Sequence, residues 1–325
     1  MEVEVPGPAE FPSCYPPKIT ESNISGEFLA ELQSLFEKTQ TSLDAQQRLR
    51  HAHGHTQGEM FAIKYSQIGR VPDAIVYPET EDQVISLVQV ASSHGACLMP
   101  FGGGTNVSEA LECRHDELRT IISVDMRRMN RVLWIDTVNR MACIEAGAVG
   151  RHIMTDLEGY GYTMGHDEPD RIEFSTLGGW IATNASGMEK NKYGNIEDIV
   201  LDINVVTASG ILKRSGVLPR ESVGSDMRRL MFGSEGKLGI VTSAVVKLFP
   251  LPEVQNYGSV LFPTFEDGIS FMYDLTQAQA QPASQRSSCR QYAIPVQHGS
   301  QACNIRTRCS CVSPSKGIRD RGHGI

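Results

Sequence analysis

The chain lacks any apolar run approaching the ~18 to 20 residues that a membrane-spanning helix needs. It also lacks an excess of positive charge. The formal net charge is -8, so nucleic acid is not expected as a partner, although a local basic site for a phosphorylated substrate stays open. The N-terminus, MEVEVPGPAEFP, has neither the basic start nor the apolar stretch of a secretory signal. No internal repeat is found. Cysteine is present, but not as a disulfide framework. Cys97 and Cys143 sit inside strand-like apolar runs and read as buried small hydrophobes, and Cys113 sits in a loop-like stretch. Four of the eight cysteines crowd into the last forty residues, and the compartment expected from this usage is reducing and intracellular. What remains is an ordinary composition, 40% hydrophobic and 21% charged, over 325 residues, enough for one or two cores.

The first 25 residues or so read as a lead-in, and residues 26–50 carry helical periodicity, with Phe28, Leu29, Leu32, Leu35 and Phe36 on one stripe. His51, His53 and His55 follow without an acidic or Cys partner nearby in sequence. They read as a polar segment ending a helix, and no metal is expected. The folded unit is expected to begin at Val71-Pro72. Ala74 to Tyr77 reads as a strand. Thr80-x-x-Gln83 then reads as a capping box opening a helix, with Val84, Leu87, Val88 and Ala91 buried and Gly95 at its end. Strand-like runs follow at 96–100, 120–124, 131–136 and 141–145, a helix at about 149–160, a hairpin over 198–214, a helical stretch at 225–232 and a long strand at 239–249. Strands, helices and hairpins mix, so the fold class expected is α+β.

The sharpest local feature is Pro100-Phe101-Gly102-Gly103-Gly104-Thr105-Asn106, directly after a strand. Successive glycines let a backbone approach a ligand closely, and their amides can form a nest for an anion such as a pyrophosphate. The loop is not a Walker loop, since no Gly-Lys-Ser/Thr follows, and the Rossmann pattern is absent. Further segments rich in small residues and hydroxyls lie downstream: EFSTLGGW, ASGMEKNKYGNIEDIV and GSEGKLGIVT. They suit close contact with a long phosphorylated cofactor, or a set of tight turns in a glycine-rich fold.

Together with GGGTNVS, these segments resemble the PCMH-type FAD-binding domain of the vanillyl-alcohol oxidase superfamily. Within it they resemble the alkyldihydroxyacetonephosphate synthase family most closely, from about Arg50 to about Ser284. The resemblance implies two α/β subdomains with non-covalent FAD extended between them. Pro100, Phe101, Gly102, Gly103, Gly104, Thr105 and Asn106 would cradle the pyrophosphate. Asp170, Arg171, Ile172, Glu173, Phe174, Ser175 and Thr176 would line the rest of the cofactor. So would Thr183, Asn184, Ala185 and Ser186, with Glu235, Gly236, Lys237, Leu238, Gly239, Ile240 and Val241. Covalent members of the superfamily place a His where this chain has Thr105, hence the non-covalent expectation. Gly103→Val is expected to abolish FAD binding with modest loss of fold.

The activity implied is replacement of the acyl chain of acyl-dihydroxyacetone phosphate by a fatty alcohol, in ether-lipid synthesis, without net redox change. The substrates implied are small-molecule lipids, and the compartment is the peroxisome or a related organelle. A homodimer and peripheral membrane contact are left open as further partners. The alternative is a flavin-dependent 2-hydroxy-acid dehydrogenase or oxidase of the same superfamily, and a third reading is a flavin-binding fragment without turnover. The sequence departs from the family in three places. Residues 167–171 are one residue longer, Asn184 stands where animal members carry Arg, a feature shared with the dehydrogenases, and the resemblance ends near Ser284. The family's catalytic Tyr and His cluster have no counterpart here, so no catalytic residue is assigned and the chain alone is expected not to turn over. The organisation expected is an N-terminal helical segment over 1–69, the FAD domain over 70–252, the start of a cap domain over 253–284 and a non-family tail over 285–325. That tail reads as disordered, out-of-frame or divergent. Its Cys303, Cys309 and Cys311 lack a CxxC knuckle.

Overall fold

The computed structural model describes residues 15–166, 172–214, 216, 224–253, 260 and 262–278. Ser25 opens α1 (Gly26–Leu35), its hydroxyl accepting from the Phe28 amide at 3.2 Å, and the helix buries Phe28 and Leu32. A short 3-10 turn leads to β1 (Thr41–Ser42), and then come α2 (Ala45–Arg50) and α3 (Gln57–Lys64). Asp44 caps α2, and Thr56 with Glu59 forms a reciprocal capping box on α3. β2 (Ala74–Val76) feeds α4 (Glu81–Ser93), which returns to β3 (Cys97–Phe101), and β4 (Ile121–Asp125) completes the first sheet. The strand order is β1-β2-β4-β3, with β2 and β3 parallel to β4 and β1 antiparallel to β2. Thr80 caps α4 as its sequence suggests, accepting from the Gln83 amide at 3.2 Å. The Gln83 side chain, however, accepts from Glu79 rather than from Thr80, so only half of a capping box forms.

The helical segment that follows the lead-in is not separate from the folded unit. Phe28, Leu32 and Phe36 share one core with Val76, Val84, Leu87 and Val124, and β1 pairs with β2. The first unit therefore starts at α1 rather than at Val71, because the apolar stripe of α1 has nothing else to bury against. Cys97, expected in the core, is half-buried, whereas Cys113 and Cys143 are buried.

The second unit is built on β5 (Val132–Asp136), β6 (Met141–Glu145), α5 (Gly150–Glu158), β7 (Tyr162–Thr163), α6 (Leu177–Thr183), α7 (Lys190–Tyr193) and α8 (Ile196–Ile199). It continues with β8 (Val200–Thr207), β9 (Gly210–Leu212), α9 (Arg228–Met231), β10 (Ile240–Lys247) and β11 (Phe249–Pro250). Its sheet has the order β5-β6-β10-β8-β9 and is antiparallel throughout; β7 and β11 make a small ladder of their own. Ile144, Ile153, Leu157, Leu177, Trp180, Ile181, Ile203 and Val246 pack into its core. The two units share apolar contact, since Val206 and Ile240 belong to the core of the first. The Thr242 hydroxyl donates to the Glu81 carboxylate at 2.6 Å, tying β10 to the start of α4.

α10 (Phe265–Gln277), capped by Thr264, leaves Phe265, Ile269 and Tyr273 exposed. It covers much of the expected start of a cap domain. Residues 254–259, 261 and 279–284 of that start and the whole 285–325 stretch, with Cys303, Cys309 and Cys311, lie outside the described residues. Among the described residues no helix is long and apolar enough to cross a membrane. None of their His, Cys, Asp and Glu side chains form a group of three that could hold a metal ion.

Candidate functional site

A cavity of about 350 Å³ lies where the two units meet, walled by the loop after β3, the first turns of α6 and the loop before β10. The glycine loop takes its shape from packing as well as from its own flexibility. A Cβ on Gly103 would overlap the Phe174 carbonyl, and one on Gly102 would overlap the Thr176 hydroxyl. Gly104 has φ +67°, a region that L side chains rarely adopt. The main chain of Phe174 and Ser175 and the side chain of Thr176 thus press directly on the loop. Gly103→Val would disrupt this contact and with it the fold near the site. The sequence-based expectation of a binding defect with modest structural loss gives way to one in which both are lost.

The polar groups facing the cavity are distributed unevenly. The first amides of α6 are already engaged: Leu177 donates to Ala148, Gly178 to Ala146 and Gly179 to the Thr176 hydroxyl. By contrast, among the described residues no acceptor faces the amides of Gly103 and Gly104. Of the described residues lining the cavity, Glu235 alone carries a formal charge. An anion held here meets backbone dipoles and hydroxyls rather than a side-chain cation. Unengaged amides on a side-chain-free loop fit a pyrophosphate, and the apolar lining from Leu111, Met126, Trp180 and Ile240 fits flat ring systems.

Two buried histidines back this cavity. Behind Phe101, His51 bonds through Nε2 to the Asp125 carboxylate at 2.9 Å and through Nδ1 to the Gln47 carbonyl at 2.7 Å. Arg127 pairs with the same carboxylate at 2.6 Å. Burial alone would push the Asp125 carboxyl up, but hydrogen bonds from His51 and Arg127 hold it below the usual carboxylate range. On the other side, His166 lies against the Trp180 ring with centroids 4.5 Å apart. The Trp180 indole donates to the Ser175 hydroxyl at 3.0 Å. Neither ring nitrogen of His166 has a partner among the described residues, and burial pushes the imidazole down to about 4.

The structure brings most of the sequence-selected residues to one cavity: 100–106, Ser175, Thr176, Thr183, Ala185, Glu235, Gly236, Gly239, Ile240 and Val241. Others stand off its walls. Ile172 packs by Gly150, Glu173 pairs with Arg151 at 2.5 Å, and Phe174 is 58% exposed and contributes its carbonyl. Ser186 donates to Asn195 at 3.0 Å, and Leu238 is exposed. Lys237 and Asn184 are likewise not among the lining residues. Asn184 ends α6 with φ +50°, a conformation for which asparagine is suited, so its identity has a backbone reason. Asp170 and Arg171 lie outside the described residues. Sequence reasoning missed Ala110, Leu111, Met126 and Ala146, which line the cavity without belonging to a small-residue motif, and left Val107, inside GGGTNVS, out of the site. It also missed His166, which stands three residues before Pro169 and belongs to none of the small-residue motifs.

Residues 72–216 match the family model of an FAD binding domain. An alkyldihydroxyacetonephosphate synthase of Caenorhabditis elegans is 44% identical over 260 residues, covering 80% of this chain and 42% of that protein. One of Trypanosoma brucei brucei is 40% identical over 264 residues, covering 81% of this chain and 43% of that protein. A solved alkyldihydroxyacetonephosphate synthase superimposes with a TM-score of 0.80 at 35% identity, covering 86% of this chain and 51% of that one. Fold and cavity together define a flavoprotein domain of the PCMH type, with FAD as its cofactor. Within that class the chain belongs to the alkyldihydroxyacetonephosphate synthase family. It spans about two fifths of the length of the curated relatives it matches.

Proposed function

We propose that this chain provides the FAD-binding part of an alkyldihydroxyacetonephosphate synthase, which exchanges the acyl chain of acyl-dihydroxyacetone phosphate for a fatty alcohol. The observation that carries the reading is the glycine loop: Gly103 and Gly104 line a cavity at the junction of two units with amides that find no acceptor among the described residues, within a chain 44% identical over 260 residues to a named synthase. The flavin supplies the exchange chemistry when bound. The chain's own residues do the rest of what can be assigned. Gly103 and Gly104 hold the pyrophosphate, Trp180 and Ile240 offer apolar wall to the rings, and the buried Ser175–Trp180 bond fixes that wall. No described side chain is assigned to proton transfer. Residence in the peroxisome, a homodimer and peripheral membrane contact belong to the same proposal, carried over from the family resemblance.

The test is twofold. Purified protein should carry flavin absorbance, and labelled hexadecanol with palmitoyl-dihydroxyacetone phosphate should give labelled ether product in a preparation containing the protein's complete catalytic apparatus. Flavin bleached by D-lactate or glycolate, with no ether product, would instead mark a 2-hydroxy-acid dehydrogenase. The residue that pointed to that alternative, Asn184, is accounted for by the left-handed end of α6.

A further inference from the structure

The matched FAD domain begins at residue 72, yet the cofactor loop is pinned from outside it. Phe101, the last residue of β3, is immediately followed by the glycine loop. Its ring lies 4.1 Å from the His51 ring, centroid to centroid, and the Arg127 guanidinium carbon lies 5.4 Å from its centroid. Asp125 holds both flanking groups, His51 at 2.9 Å and Arg127 at 2.6 Å. The glycine loop in turn folds over Phe101, since a Cβ on Gly104 would come to 2.9 Å from the ring. At the far end of the loop, the Asn106 carbonyl accepts from the His55 amide at 2.8 Å. Gly54 lies so close to that carbonyl that an added Cβ would overlap it. The Gly54 amide donates to Glu59 at 2.7 Å, which fixes the segment on the start of α3.

We propose that the segment from His51 to His55 is a positioning clamp for the FAD pyrophosphate loop. His51 acts through Phe101 at one end, and Gly54 and His55 act through Asn106 at the other. The inference rests on the flavin reading above. Amides that bind a pyrophosphate must be held to within about half an ångström, and a loop of three glycines cannot hold itself that well. The clamp supplies the missing rigidity, and its effect is on cofactor affinity rather than on the chemistry of exchange.

The test uses the full chain with flavin removed, titrated with FAD by fluorescence quenching, beside urea unfolding of each apoprotein. His51→Leu keeps an apolar filler but loses both hydrogen bonds. His51→Gln retains a donor toward Asp125. Gly54→Ala disturbs Asn106 without touching the buried ion pair, and so guards against simple misfolding of the His51 variants. Gly54→Ala and His51→Leu are expected to weaken FAD binding by roughly tenfold or more, with His51→Gln within about threefold of wild type. The Gly54→Ala apoprotein should still unfold cooperatively, with a urea midpoint lowered by the overlap with Asn106, and its loss of FAD affinity should exceed that of Ser25→Ala, which lowers the midpoint by removing the α1 cap away from the loop. Wild-type affinity in both Gly54→Ala and His51→Leu overturns the clamp. So does a Gly54→Ala loss of affinity no greater than that of Ser25→Ala. A wild-type chain that binds no FAD overturns the flavin reading and the clamp with it, whereas an FAD-binding wild type with unaffected variants sinks the clamp alone.

Discussion

The two walls of the flavin cavity are each backed by a buried histidine, and the two are kept in opposite ways. His51 is 1% exposed and has an acceptor at each ring nitrogen, one of them the 0%-exposed Asp125 carboxylate. His166 is 0% exposed, rests on Trp180 and has no hydrogen-bond partner among the described residues. The first wall is held by a charged network, which is strong only while every member is in place. The second is held by packing around a neutral ring whose polar atoms gain nothing from burial. The lesson is that one cavity combines a wall that fails by losing a partner with a wall that fails by gaining a proton.

The largest effect should come from breaking the first wall. Asp125→Ala leaves His51 and Arg127 facing each other without their carboxylate, and a loss of about 3–5 kcal/mol in urea unfolding is expected. A loss smaller than about 1 kcal/mol would show that the pair contributes little. The same wall has an acid limit. Because the folded carboxyl of Asp125 sits below its unfolded value, its contribution is present above the usual carboxylate range and is lost as pH falls through the folded value.

The second wall should fail at a higher pH. The His166 imidazole titrates near 4 when folded, against 6.5 for the ordinary side chain. Between those values the unfolded chain takes up a proton that the folded chain refuses. Stability is therefore complete above about 6.5 and falls as pH drops toward 4, by about 3 kcal/mol in all. His166→Phe should flatten that slope at little cost near neutral pH, as measured by unfolding midpoints across the range. A slope unchanged in the variant would move its source elsewhere.

Smaller effects sharpen the contrast at the contact between the walls. Gly103→Ala should cost about 1–3 kcal/mol through overlap with the Phe174 carbonyl, and should release flavin from an otherwise folded chain. Thr176→Val removes the cap of α6, where the hydroxyl accepts from Gly179 at 3.3 Å, at an expected cost of about 1 kcal/mol in thermal or urea unfolding. On the side of attachment, Thr105 offers no imidazole to the flavin. Acid precipitation should then release all yellow colour to the supernatant, and colour kept in the washed pellet would contradict a non-covalent site.

What could be read from the sequence was local. The Thr80 cap, the Val84–Leu87–Ala91 stripe and the glycine loop after β3 are each set by residues a few positions apart, and the structure contains each. What was hidden depends on distant partners. The stripe of α1 was visible, but not that Phe28 and Leu32 meet Val76 and Val124. His51 looked like the polar end of a helix because its partner, Asp125, is 74 residues further along. Leu111 and Met126 line the cavity through tertiary packing of ordinary apolar residues, which leaves no motif. The placement of Phe174 failed for a related reason: the residue matters through its main chain, and a sequence records side chains.

That last contact sets how this region tolerates sequence drift. The loop meets Phe174 through the backbone carbonyl, while the residue as a whole is 58% exposed. A saturation scan should find position 174 permissive to most side chains and position 103 closed even to alanine, although the two residues touch. A pair in intimate contact would then leave no trace of covariation, one partner drifting freely while the other stays fixed.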